Sequence, residues 1–217
     1  MNILQTVLDF LYPPHCPACE KYVENTGDWC DSCLEKTFNF HILPIAAGNY
    51  GVLCQIYALG HYHGALQNLI TRLKYKNDMN ALKCIHNFIN KMAGQIKLPA
   101  DIEVVIAVPL HKKRYEQRGF NQTELIFAKL LQKANLNYSD CMERCAVTMP
   151  QFELSREERL KNVKNAFQLQ AGITIKNKNC LLLDDIFTTG ATMMECAKVL
   201  QRNGAGKIYG MVLASDA

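Results

Sequence analysis

No apolar run in this 217-residue chain approaches the length that crosses a bilayer, so the sequence reads as that of a soluble protein. The opening stretch MNILQTVLDFLY lacks a basic start, carries Asp9 and runs into Tyr-Pro-Pro where a small-residue cleavage site would stand, which argues against a secretory leader. It is expected to form a short amphipathic helix instead, with Ile3, Leu4, Val7, Leu8 and Leu11 on one side. Internal repeats and low-complexity tracts are missing too, which excludes solenoids and biased linkers. Charge is sparse, 20% of residues with a net of +4, but it is unevenly placed. Residues 1–45 hold two Lys/Arg and six Asp/Glu, a net of −4, which leaves +8 for residues 46–217. A polyanionic partner is therefore expected to meet the second part.

Cysteine, by contrast, is plentiful. Ten in a chain without a leader are better read as metal ligands and small buried hydrophobes than as a disulfide framework, which points to a reducing compartment. Cys16-Pro-Ala-Cys19 and Cys30-Asp-Ser-Cys33 form two C-x₂-C knuckles. Each chelates from a tight turn, and the two together complete a closed, tetrahedral, structural Zn²⁺ site. His15 adjoins the first knuckle but would be a fifth ligand. Because the ribbon is acidic, it is expected to dock or stabilise rather than grip nucleic acid, with the 1–12 helix as a candidate hold on a protein partner. Cys54, Cys84, Cys141, Cys145, Cys180 and Cys196 read as buried small hydrophobes.

Little patterned apolar sequence follows the knuckles up to Pro44, so the chain divides into a ribbon unit, 1–45, and a larger domain, 46–217. In the latter, strand patterns at 52–59, 103–109, 180–183 and 207–213 alternate with helical periodicity at 65–75, 80–92, 121–134 and 191–202. That order implies an α/β fold with a mainly parallel sheet and helices on both faces.

The most informative stretch is LLLDDIFTTGAT, residues 181–192. A buried strand leads into Asp184 and Asp185, then Ile186 and Phe187, then a loop of Thr188, Thr189, Gly190, Ala191 and Thr192 that opens a helix. Free backbone N–H groups at a helix start, with threonine hydroxyls, can wrap a phosphate. Carboxylates beside them suit a ligand that presents hydroxyls next to its phosphate, and a phosphorylated ribose meets both demands. The plain alternative is an ordinary Asp/Thr/Gly turn. A second anion site is expected after the 103–109 strand, where Pro109, His111, Lys112, Lys113, Arg114 and Arg118 gather. NGAGK at 203–207 looks like a phosphate loop but lacks its first glycine, and reads as a helix stop.

The 181–192 stretch resembles the motif by which type I phosphoribosyltransferases bind 5-phosphoribosyl 1-pyrophosphate (PRPP). With VPLHKKRYEQRGFNQ at 108–122, the positions Pro150, Gln151, Leu154, Arg156, Arg159, Asn162, Val163, Ala166 and Phe167, and the cysteine ribbon, nearly the whole chain resembles the ComF family. The resemblance implies that Asp184 and Asp185 hold the ribose hydroxyls and 188–192 the 5′-phosphate, with Mg²⁺ bridging the pyrophosphate. It places Arg156, Arg159 and Asn162 in a hood over the acceptor side. It also implies a cytoplasmic accessory of natural transformation that handles incoming single-stranded DNA. Arg72, Lys74 and Lys76 beside Tyr75 offer the mixture of cations and stacking surface that single strands favour. The competing expectation is an active phosphoribosyltransferase acting on a base or amine, although no side chain identifies an acceptor and binding alone does not establish turnover.

Overall fold

The computed structural model describes residues 13–45, 51–145 and 163–216, so the 1–12 helix and the hood positions Arg156, Arg159 and Asn162 lie outside the described residues. A short helix, α1 (Asp31–Thr37), leaves the second cysteine knuckle and runs directly into strand β1 (Phe38–Ile42). The sheet then gains β2 (Gln55–Gly60), β3 (Val104–Ala107), β6 (Cys180–Phe187) and β7 (Ile208–Ser215) in the order β1-β2-β7-β6-β3. Four of these strands are parallel, and β1 pairs antiparallel with β2 at one edge. The expected strands are present with shifted ends. The one unanticipated member is β1, which carries the sheet across the boundary drawn at residue 45.

Between β2 and β3 lie helices α2 (Gly64–Lys76) and α3 (Met79–Met92). Asp78 separates them: its carboxylate accepts from the Asn80 and Ala81 backbone N–H groups, capping α3, while Asn77 ends α2 in the left-handed conformation at φ 50°. After β3 come a short, seven-residue helix, α4 (Lys112–Arg118), and α5 (Gln122–Ala134). Asn121 caps α5 through the Thr123 N–H and donates back to the Val108 carbonyl, fixing the chain's return from β3. A small antiparallel ribbon, β4 (Met142–Arg144) with β5 (Phe167–Leu169), precedes β6, and α6 (Ala191–Arg202) joins β6 to β7.

The central strands β6 and β7 are buried almost throughout, which is why they read as continuous apolar runs rather than alternating ones. Leu181 and Leu183 face a core shared with α2, α3, α5 and the cysteine ribbon, whereas Cys180 and Leu182 face one shared with α6 and the β4–β5 ribbon. Helices therefore cover both faces. The cysteine ribbon is seated on α3: Trp29, buried, donates its indole N–H to the Cys84 carbonyl at 2.9 Å and its ring lies 5.5 Å from that of Phe88. Asn87 reaches Asp28 at 3.0 Å. No helix among the described residues is long and apolar enough to cross a membrane.

Candidate functional site

The carboxyl ends of all four parallel strands open onto one cleft of about 270 Å³. Each strand contributes to its wall: Tyr62 after β2, Asp216 after β7, Val108, Pro109 and Leu110 after β3, and everything from Asp184 to Met193 along and after β6. Open α/β sheets bind ligands at this edge, because loops diverge there and helices begin there.

Strand β6 runs on through the acid pair, Asp184 lying opposite Val212 of β7. Alternation of side chains across a strand then sends the two carboxylates to opposite faces. Asp185, 3% exposed, accepts from Lys74 Nζ of α2 at 2.8 Å and from Gln122 Nε2 of α5 at 2.9 Å. Asp184, half-buried, accepts from the Asp185 backbone N–H and is turned toward Arg144 and Cys196. Burial raises the Asp184 carboxyl from 3.8 to about 7, and the Asp185 charge adds to the rise; Lys74 and Arg144 oppose it.

Beyond Phe187 the chain turns through Gly190 at φ 71°, where a Cβ would stand 2.6 Å from the Phe187 ring. Glycine is required there on both counts. Thr188, Thr189 and Thr192 line the cleft, and the Thr189 hydroxyl accepts from the Ala191 N–H at the start of α6. Opposite stand Arg114 and Arg118. Burial depresses the Arg118 guanidinium and the neighbouring charge of Arg114 depresses it further; Arg144 is lowered by the same two causes. Cations pressed on one another in this way give this side of the cleft a positive potential.

Of the basic segment, Arg114, Arg118 and Pro109 line the cleft, whereas Lys112 and Lys113 are exposed outside it and His111 caps α4 by accepting from the Lys113 N–H. Helix α4 explains the division, since residues four apart share a face and their neighbours do not. The cluster considered for single strands also divides. Lys74 and Tyr75 line the cleft, Arg72 is bound to Asp78 at 2.6 Å, and Lys76 is exposed. Gln122 enters the site from the end of the 108–122 stretch, whereas Arg144 and Tyr62 join it without a motif to announce them.

At the other end of the protein, the sulfur atoms of Cys16, Cys19, Cys30 and Cys33 all lie within 4.8 Å of one another, with Cys19 and Cys30 at 3.6 Å. Four sulfurs at about 2.3 Å from a tetrahedral ion would be separated by distances of this order, so the donor set fits Zn²⁺. Hydrogen bonds from Ser32 and the Cys33 backbone lower Cys30 to about 6, while the bond to Cys30, followed by burial, lifts Cys33 to about 12. Thiols this close ionise together only around a cation.

An open, mainly parallel sheet, one inner strand of which ends in an acid pair and a Thr/Gly loop, preceded by a Cys₄ ribbon, defines an α/β protein with a structural zinc module. Residues 7–44 match the double zinc ribbon domain family, with a single four-cysteine cluster among the described residues. Competence protein F of Haemophilus influenzae is 30% identical over 212 residues, covering 93% of this chain and 84% of that protein. The DNA utilization protein YhgH of Salmonella typhi is 35% identical over 197 residues, covering 89% and 80%. The chain belongs to the ComF family. A looser likeness in overall shape links it to adenine phosphoribosyltransferase from Leishmania donovani, 13% identical with a TM-score of 0.39 over 81% of this chain and 87% of that one.

Proposed function

We propose that the cleft binds PRPP with Mg²⁺ and that the protein is a cytoplasmic competence accessory that handles incoming single-stranded DNA. One observation carries the first part: the 188–192 loop, opening α6, shares a single cleft with Asp184, Asp185, Arg114 and Arg118. The loop offers amides and hydroxyls to a 5′-phosphate, an acid of the pair accepts from the ribose hydroxyls, and the arginines meet the pyrophosphate. Asp184 supplies the kind of oxygen donor that Mg²⁺ takes together with phosphate oxygens and water.

The nucleic-acid role draws on the names of the relatives and on the rim of the same cleft. Tyr75 is 59% exposed beside exposed Lys76, and Tyr115 is 49% exposed on the helix that carries Lys112 and Lys113. Stacking surface interleaved with cations suits a strand without sequence preference.

Calorimetric titration of PRPP with Mg²⁺ tests the pocket. Wild type is expected to bind, and the double variant Asp184→Asn/Asp185→Asn to lose binding while keeping its zinc and its fold; unchanged binding by the double variant would refute the reading. Short single-stranded DNA, titrated at two salt concentrations, is expected to bind in a salt-sensitive manner. Release of pyrophosphate with a defined base or amine would instead make the protein a working transferase.

A further inference from the structure

The two acids, adjacent in sequence, are differently employed. Both oxygens of Asp185 are already engaged by side chains, Oδ1 by Lys74 and Oδ2 by Gln122, and the residue is almost wholly buried. Gln122 in turn accepts from Arg118 Nη1 at 2.7 Å. The result is a continuous chain, Lys74–Asp185–Gln122–Arg118, both cationic ends of which line the cleft. Asp184, half-buried, has no such pair of side-chain donors among the described hydrogen bonds.

From this geometry we infer that Asp185 is a positioning residue which holds Lys74 and, through Gln122, Arg118 against the pyrophosphate, and that Asp184 alone meets the ribose hydroxyls. The inference rests on the PRPP reading and assigns the labour within it. A lysine ammonium has three donors, and one of them is given to Asp185, so two remain for anionic oxygens. Four rotatable carbon–carbon links make a free lysine costly to order; an ion pair with a buried carboxylate lowers that cost before the ligand arrives. A carboxylate so placed would repel a pyrophosphate if it stood bare, whereas neutralised by Lys74 it leaves Arg114, Arg118 and Arg144 as the charges the ligand sees.

The test uses the full-length, zinc-loaded protein and three probes titrated separately: ribose 5-phosphate, inorganic pyrophosphate with Mg²⁺, and PRPP with Mg²⁺. Lys74→Gln and Asp185→Asn are each expected to weaken pyrophosphate and PRPP by about tenfold or more, while ribose 5-phosphate binds within about threefold of wild type. Combining them should cost little more than either alone, since both break one network. Lys74→Arg should restore part of the pyrophosphate affinity. Asp184→Asn should show the opposite pattern, losing ribose 5-phosphate and sparing pyrophosphate. Thermal melting and zinc content verify that each variant is folded, and Lys74→Gln, on the cleft wall, stands in should Asp185→Asn fail to fold. If Asp185→Asn loses ribose 5-phosphate as Asp184→Asn does, or Lys74→Gln leaves pyrophosphate binding intact, the inference is wrong while the PRPP reading survives. If wild type binds pyrophosphate through Lys74 but neither ribose compound, the PRPP reading fails and the lysine's role stands.

Discussion

Asp184 and Asp185 illustrate how little a residue's type says about its state. One is anchored between an ammonium and an amide; the other is pushed up to about 7 by burial and by its neighbour's charge, against the opposing pull of Lys74 and Arg144. A carboxyl raised in the folded protein holds its proton more tightly there than in the unfolded chain. Its contribution to stability is therefore complete below its ordinary value of 3.8 and is lost as pH rises through about 7. Urea unfolding of wild type between about pH 5 and pH 8 is expected to show this loss, and Asp184→Asn to remove that part of the slope. An equal pH dependence in the variant would mean that Asp184 ionises in the native protein as freely as in the unfolded chain. The sequence disclosed that the two acids were adjacent; it did not disclose that the strand continues through them, which is what sends them to opposite faces.

Among elements, helix starts were the most legible. Asn121 and the 191–202 helix were readable because capping and loop chemistry act over a few residues, and both occur where the pattern indicated. Asn121 does more than cap, however, since its amide also donates to Val108 and binds the end of β3 to the start of α5. Asn121→Ala, at a site 3% exposed, is expected to cost about 1–2 kcal/mol in urea unfolding, through the lost cap and an unpaired buried carbonyl. Asn121→Asp keeps the cap but turns a donor into a repelling acceptor at Val108, and should recover only part of that loss. Less legible were α4 and the β4–β5 ribbon. At seven and three residues they are too short for periodicity to separate from loop, and they form because β3, β6 and α6 hold their ends.

At the scale of the molecule, the cysteine ribbon and the sheet domain share one core. Trp29 enters it from the ribbon side and meets Phe88, which in turn lies 5.9 Å from Phe38 of β1. Trp29→Ala is expected to cost about 3–5 kcal/mol, by loss of a buried aromatic together with its hydrogen bond to Cys84. Zinc should remain bound, since the four thiolates are untouched. Denaturant unfolding followed alongside zinc release measures both; a loss confined to zinc affinity, with the sheet domain unaffected, would show that the ribbon folds as a separate unit.

By itself the sequence determined whatever depends on a few consecutive residues: two metal-chelating turns, the buried strands, the helix caps, and a Thr/Gly loop that opens a helix. Only the tertiary structure decided which distant groups complete the site. Lys74 and Asp185 are 111 residues apart, and Gln122 and Asp185 are 63 apart. Their meeting depends on strand order and helix packing, for which a local pattern carries no signal. The physical reason is that a turn's geometry is set by its own backbone, whereas an ion pair across a cleft is set by everything that holds the two walls in place.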